Sequence, residues 1–448
     1  MIKYDVFVLG SGIAGMSIAN ICAAKGLKVG ISDELPYGGT CALRGCDPKK
    51  IMLAATEAKD FAQRLSGKKI AEVPAIHWLE AMQYKQEFVD AMPPKIEKGY
   101  QKNGIDTYHH SVKFISENQL QVGDDIIEAD KIAIATGAKS LILDIPGGDL
   151  ALTSTDFLNF QSLPKSLIFI GGGYIAFEFA HMAARYGSKV IILHRGDRPL
   201  ENFDPFIVEQ LTEATKRLTI EVVLNTNVIE IEKSGKGFKV TGEGEKGSQT
   251  WEAETVINSA GRPPAIFDLD LEKGKVTYGK RGVEVNEFLQ STSNPNVYAA
   301  GDAADTDGIP LTPVGVMEGH IAASNIVKGN TKKPDYAGIP TVVFTLPTMA
   351  SVGLSEKKAH DMGLKFDVKK NSVPDWFTAK RMNEKTYAFK TLIEKESSKI
   401  LGAHLIGPHA EEVINLFAMA IKTGFTSKDI KTMVLTYPSA SSDIVYMV

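Results

Sequence analysis

The chain has 448 residues, of which 44% are hydrophobic and 23% charged, and its formal net charge at pH 7 is −4. This is the balance of an ordinary globular protein of about three domains, and it excludes an overall basic surface of the kind that gathers nucleic acid or anionic membrane. Three cysteines cannot build a disulfide framework, which points to a reducing, cytoplasmic compartment.

Residues 4–9, rich in β-branched and aromatic side chains, read as a short buried strand. The turn Gly10-x-Gly12-x-x-Gly15 follows, then a helix of small residues to about residue 25 and a second strand over 27–31. Glycines here permit a tight turn and a close approach of backbone to a pyrophosphate, whose charge the helix N-terminus favours. An acid about 20 residues further on holds a ribose hydroxyl in such sites, and Asp33 takes that place. The same N-terminal stretch loosely mimics a secretory leader, but Asp5 interrupts its apolar run and the glycines sit at nucleotide-site spacing. Cys22, on the helix, reads as a small buried side chain.

Next comes "GGTCALRGCDPKK" (38–50), with Cys41 and Cys46 close together. A metal clip, a structural staple and a redox pair are all open from the spacing alone. No second Cys/His pair at ligand spacing completes a zinc site, so no metal is expected. Asp47-Pro48 reads as a helix start, with Asp as cap and Pro in the first turn. A helix N-terminus lowers the pKa of a nearby thiol, as a nucleophile at neutral pH requires.

The nucleotide pattern returns over 166–193: a strand at 166–170, the turn Gly171-x-Gly173-x-x-Ala176, a helix at 174–186 and a strand at 189–193. Its apolar window contains Glu178 and His181 and is a poor membrane span. The acid expected after the second strand is missing; "LHRGDRP" supplies His194, Arg195 and Arg198 instead. Arginines attract a 2′-phosphate that a carboxylate would repel, so this site favours NADPH over NADH. "FDPFIVEQLTEATKRL" (203–218) reads as an amphipathic surface helix, 233–250 as a solvated hairpin region, and "VKGNTKKPDYAG" (327–338) as a linker. Two dinucleotide folds, one of them preceding a cysteine pair, imply a relay in which hydride enters from NADPH, passes to a second bound dinucleotide and reaches the thiols.

In this order the motifs resemble the flavoprotein disulfide reductases, the family of glutathione reductase, dihydrolipoamide dehydrogenase and mercuric reductase. Besides the thiol motif and "GGGYIAFEFA" (171–180), the resemblance rests on "IAIATG" (132–137), "SAGRPP" (259–264), "NVYAAGDAAD" (296–305), "LTPVGVMEGHIAA" (311–323) and "IPTVVFTLPTMASVGLSE" (339–356). It implies an α/β fold of two Rossmann-like dinucleotide-binding domains plus a C-terminal α+β dimerisation domain. The boundaries would be 1–141 with 262–330 for FAD, 142–261 for NADPH and 331–448 for the dimer interface. It implies FAD and NADP(H) as cofactors, with FAD or nucleotide contacts from Gly10, Gly12, Gly15, Asp33, Gly39, Thr40, Thr136, Gly137, Gly261, Arg262, Asp302 and Thr312. The resemblance makes Cys41 and Cys46 a redox disulfide, Cys46 the charge-transfer thiolate near the flavin and Cys41 the thiol that attacks substrate. Lys49 or Lys50 would pair with Glu178, and Tyr174 would cover the nicotinamide pocket. A homodimer would share its active sites across the subunits.

Departures from the family pattern bear on the substrate. The tail "TYPSASSDIVYMV" has Tyr437 where many members have histidine and Ser442 where they have glutamate, with Asp443 beside it. Imidazole titrates near 6.5 and a phenol near 10, so a tyrosine is a poor base near neutrality. No cysteine follows Cys46, so the extra C-terminal pair of mercuric reductases is absent. Asn20 and His320 replace two arginines that bind glutathione carboxylates in glutathione reductases; Asp47 replaces an aliphatic residue, and Arg44 is expected to pair with it. The expected reaction is NADPH to FAD to Cys41–Cys46 to a small-molecule or protein disulfide. A metal ion or quinone acceptor, or a slow redox sensor, are the alternatives.

Overall fold

The first strand of the computed structural model, β1 (Ile2–Leu9), pairs in parallel with β2 (Val29–Ser32) on one side and the strand Asp125–Ile134 on the other. Its side chains alternate between two cores: Val6 and Val8 meet Ala14 and Ile18, whereas Phe7 and Leu9 meet Phe114 and Leu120. Burial on both faces is what a continuous apolar run in a parallel strand requires. The full sheet has seven strands, with the short strands 106–108 and 112–114 at opposite ends of the path and Val297–Ala299 paired to Asp125–Ile134.

The structure describes residues 1–245 and 247–448. They divide into two units, one of Met1–Ile51, Met82–Leu141 and Arg262–Tyr336, the other of Met52–Ala81, Ile142–Gly261 and Ala337–Val448. In the first unit the helix α1 (Ile13–Ala24) packs against the helix Thr312–Lys328. The approach is so close at Gly319 that a Cβ there would stand 2.6 Å from the Ala14 carbonyl oxygen. The expected linker at 327–338 is held down. Asn325 Oδ1 accepts the N–H groups of Thr331 and Lys332, and buried Glu318 accepts the Tyr336 hydroxyl at 2.7 Å. The same Glu318 carboxylate accepts Gly301 N–H and the Thr306 hydroxyl.

The second unit begins its own parallel sheet in the order Thr255–Asn258, Ser166–Ile170, Lys189–Leu193, Glu221–Val223, followed on the chain by the antiparallel strands Thr226–Ser234, Gly237–Gly244 and Gly247–Ala253. The hairpin expected at 233–250 is present, its residue Lys246 lying outside the described residues. The C-terminal sheet has five antiparallel strands in the order 341–343, 348–353, 400–407, 388–394, 366–372. Phe389 and Leu405 of that sheet pack with Ile414 and Phe417 of the helix Ala410–Thr423. Two Rossmann-like folds and a C-terminal α+β domain are thus the architecture, as the sequence leads one to expect. Among the described residues no helix is long and apolar enough to cross a membrane.

The amphipathic helix expected at 203–218 spans Pro205–Arg217, capped by Asp204, whose carboxylate accepts Phe206 N–H at 3.0 Å. Asp204 is 1% exposed, and its other oxygen meets Lys390 Nζ at 2.8 Å. Lys390, itself buried, also meets Glu356 at 2.5 Å. Removing one member of a buried ion pair strands the other charge at a cost of about 3–5 kcal/mol. Lys390→Ala should therefore lower the thermal midpoint by several degrees in calorimetry, whereas Lys216→Ala, which breaks only an exposed pair with Glu213, should move it by about a degree or less.

Candidate active site

Cys41 lies in a short helix, α2 (Gly39–Arg44), and Cys46 is the first residue of α3 (Cys46–Leu65), with Gly45 alone between the two helices. The sequence places Asp47 as the cap and Pro48 in the first turn; the helix starts two residues earlier, at Cys46, and Asp47 sits in the first turn instead of capping it. The reason is visible in the backbone, where Lys49 N–H already bonds to the Gly45 carbonyl at 3.1 Å. Cys46 therefore occupies the helix end whose N–H groups lack intrahelical acceptors and favour negative charge.

Both cysteines are free thiols in this structure. The hydrogen bond with Cys41 holds the Cys46 thiol down at about 6; burial opposes this, the Thr312 hydroxyl and the Lys49 charge help, and Asp47 opposes. Thr312 Oγ1 lies 3.5 Å from the Cys46 sulfur. The same sulfur–sulfur hydrogen bond, together with burial, pushes the Cys41 thiol up. Of the two thiols, Cys46 is therefore the more readily ionised. The expected Arg44–Asp47 pair does not form. Arg44, its basicity lowered chiefly by burial, feels Asp33 as its opposite charge and Arg262 as a like one, and burial pushes the Asp47 carboxyl up.

In the same unit the first glycine turn and the thiol segment touch. Gly10 has φ +99°, and a Cβ there would stand 2.4 Å from the Ala135 carbonyl oxygen; a Cβ on Gly15 would stand 2.0 Å from the Gly10 oxygen. Gly39, at φ +68°, faces Gly12 so closely that its Cβ would fall 2.5 Å from the Gly12 Cα. Asp33 accepts Ser11 N–H at 2.8 Å and the Ser11 hydroxyl at 2.7 Å, and so braces the turn it was expected to serve at a ribose. Thr136 Oγ1 is buried without a hydrogen-bond partner, and Gly137 beside it opens on space, with nothing within 4 Å of where a Cβ would stand. Thr40 lies half-buried in α2. Asp302 has its carboxyl pushed up by burial, with Arg262 opposing, and Arg262 donates to the Ala138 carbonyl at 2.5 Å. An orphaned hydroxyl, a glycine cradle and a half-buried acid within one unit fit a bound dinucleotide. Sequence reasoning missed Ser11 and Glu318; their signals, a serine inside the glycine turn and an acid in an apolar helix, are too common to stand out.

The second turn follows the same plan. Gly171 has φ +104° and would place a Cβ 2.5 Å from the Ser259 carbonyl oxygen, while Gly173 has nothing within 4 Å. Ala176 is fully buried where the first turn has its third glycine. Tyr174 opens the helix Tyr174–Tyr186 and is 46% exposed. Glu178 is buried and accepts Phe344 N–H at 2.8 Å. Gly261, at φ +146°, also has open space beside it. Of the two arginines, Arg195 is exposed, but Arg198 donates to the Phe203 and Glu201 carbonyls at 2.8 and 2.9 Å and ties its own loop. Tyr437 is 75% exposed. Asp443 accepts the Tyr387 hydroxyl at 2.8 Å, and Ser442 closes a capping box with Ser439, so both are engaged within their own fold. Asn20 is engaged with Met16 and Asn103, and His320 is exposed. Lys50 is exposed on α3. Among the described residues no group of three or more His, Cys, Asp or Glu could hold a metal ion.

Residues 4–319 match the pyridine nucleotide-disulphide oxidoreductase family, and residues 339–448 match the dimerisation domain of the same family. The chain belongs to this family. It is an oxidoreductase of the flavoprotein disulfide reductase type, and membership implies FAD and a nicotinamide nucleotide. It is similar to a glutathione reductase of Burkholderia cepacia, 30% identical over 99% of this chain and 98% of that protein. A mercuric reductase of Staphylococcus aureus is 33% identical over 95% of this chain and 78% of its own length. Among solved structures, the Cu(II) complex of the HOCl-induced flavoprotein disulfide reductase RclA from Escherichia coli superposes with a TM-score of 0.88 at 27% identity, covering 100% of this chain and 99% of that one.

For a disulfide reductase with this thiol geometry, iodoacetamide alkylation of the reduced protein should follow an ionisation with a midpoint near 6, the thiolate being present above it. Cys46→Ser should remove that phase, and Thr312→Val should shift its midpoint upward. A midpoint near the ordinary thiol value of about 8.5 would contradict the assignment of Cys46 as the thiolate.

Proposed function

We propose that this protein is an NADPH-dependent FAD disulfide oxidoreductase that passes electrons from NADPH through FAD to Cys41 and Cys46 and then to a disulfide substrate. The observation that carries the reading is the unequal thiol pair, a thiolate at the start of α3 hydrogen-bonded to a protonated neighbour. Bound FAD would supply the two-electron carrier between nicotinamide and thiols. Gly10, Gly12, Gly15, Asp33, Gly39, Thr40, Thr136, Gly137, Arg262, Asp302 and Thr312 would hold it. Gly171, Gly173, Tyr174, Ala176 and Gly261 would line the NADPH site, with Glu178 and one of Lys49 and Lys50 serving the nicotinamide step. The engaged Arg198 makes Arg195 the main contact for the 2′-phosphate.

The thiol chemistry then runs on this chain's own sulfurs. The Cys41 sulfur attacks one sulfur of the substrate disulfide, forming a mixed disulfide and expelling the other half as a thiolate. The proton that Cys41 gives up matches the one the leaving thiolate takes. The Cys46 thiolate next attacks Cys41, closing the Cys41–Cys46 bond and releasing the second half as a thiolate, which takes its proton from solvent or from a side chain. Tyr437, reaching the site of a partner subunit in a homodimer, would be the available donor, and a phenol is a weaker acid than an imidazolium. The setting that suits this chemistry is reducing and cytoplasmic.

A second reading is favoured by one observation: Asp443 and Ser442 are engaged elsewhere, so no carboxylate in the tail backs Tyr437 as the usual glutamate backs histidine. An acceptor that leaves no thiolate to protonate, a metal ion or a quinone, would suit such a site. The mercuric reductase relative and the copper complex of the structural neighbour support this reading.

NADPH should reduce the purified flavoprotein far better than NADH. Arg195→Ala should raise KM for NADPH about tenfold, the worth of one charge-assisted contact, with little effect on NADH. Equal efficiency with both nucleotides would refute the preference. Rapid mixing of the two half-reactions separates the two acceptor readings. Reduction by NADPH should be fast and reoxidation by glutathione disulfide slow; fast reoxidation that Tyr437→Phe leaves unchanged would restore glutathione as a leading substrate.

A further inference from the structure

Three polar side chains in one row of the second nucleotide helix, Glu178, His181 and Arg185, hold the backbone between Phe344 and Leu346. Spacings of three and four residues put them on the same helix face. Glu178 accepts Phe344 N–H at 2.8 Å, and Arg185 Nη2 donates to the Leu346 carbonyl at 2.9 Å. His181 Nδ1 lies 3.4 Å from the Leu346 nitrogen, and its Nε2 lies 2.8 Å from Thr215 Oγ1. The segment so held joins the first two strands of the C-terminal sheet.

The hydrogen bonds fix the state of the imidazole. Thr215 donates its single hydroxyl proton to the Leu211 carbonyl at 2.8 Å, so toward His181 it accepts, and Nε2 carries the hydrogen. Nδ1 is then a lone pair, the form that accepts Leu346 N–H. Burial, with Arg185 beside it, keeps the ring neutral. Arg185 is fixed in turn by Asp60, 2.7 Å from its Nη2, and Asp60 also accepts from Arg64 at 2.9 Å. Both polar groups of Leu346 are thus gripped by residues one helical turn apart.

We propose that His181, as the neutral Nε2–H tautomer, is a positioning residue for the nicotinamide step. With Arg185 it fixes the Leu346 backbone, hence the Phe344 N–H two residues before it, and so the orientation of the Glu178 carboxylate. This rests on the reading that NADPH reduces the enzyme beside Glu178.

The test pairs amide hydrogen exchange at residues 344 and 346 with the single-turnover rate of reduction by NADPH, both on the holoenzyme. His181→Leu should lower protection of both amides about tenfold and slow reduction about tenfold, KM for NADPH changing less than about twofold. His181→Asn, whose amide oxygen can accept Leu346 N–H, should recover most of both losses. Thr215→Val touches neither residue of the segment, yet it should loosen the Leu346 amide in the same direction by freeing the ring. It also serves if the leucine variant fails to fold. Unchanged protection in Thr215→Val and His181→Leu, with only a lower melting temperature, would overturn the proposal, as would lost protection with an unchanged reduction rate. A wild-type protein that NADPH does not reduce would overturn the functional reading instead, and amide protection alone would then decide the positioning role.

Discussion

The contact of Gly12 with Gly39 is the constraint on which the thiol site depends. A side chain on Gly39 would run into the Gly12 backbone, and Gly39 also needs its positive φ. The contact sets the start of α2 against the nucleotide turn, and the chain then reaches Cys46 within seven residues. The glycine turn and the segment that leads into the thiol helix share a wall by construction of the backbone, before any side chain acts. A methyl group at Gly39 would push the start of α2 away from the turn.

From that wall the difference between the two sulfurs follows. The break at Gly45 ends one helix and starts another, so Cys46 receives the field of a long helix while Cys41 lies within a short one. Hydrogen bonding between the sulfurs then separates them further, since a proton held by one is refused by the other. The nearby acid and arginine do not neutralise each other: Arg44 feels Asp33, the residue that braces Ser11, and Asp47 is left to its burial.

Much of the frame is legible in the sequence because it rests on local rules. Strand, glycine turn and helix at 166–186 stand where the apolar run, the glycines and the small residues put them, since a buried parallel strand and a tight turn each leave a direct mark on composition. The helix at 205–217 is equally clear from its apolar period, but its cap is also half of a buried ion pair, which the sequence hides because Lys390 lies far along the chain. The thiol helix starts two residues before the expected place, as Asp-Pro is a strong start signal and Gly45 a stronger break. Arg198 stands beside Arg195 in the sequence, and only the fold reveals that its guanidinium also ties its own loop. Residues that act through distant backbone, such as His181 on Leu346, leave no pattern in a single sequence.

The segment read as a linker has a practical meaning for anyone wishing to divide the protein. A chain ended at residue 330 would remove Thr331, Lys332 and Tyr336, the partners of Asn325 and Glu318. Buried polar groups left in this way cost more than the contacts themselves contribute. Since Glu318 also holds Gly301, next to Asp302, the damage from such a cut would spread from the exit of the first unit into the turn at 301–303. The natural place to sever the chain is therefore after Tyr336, where the first unit ends, and an isolated flavin-binding fragment should carry its tether with it.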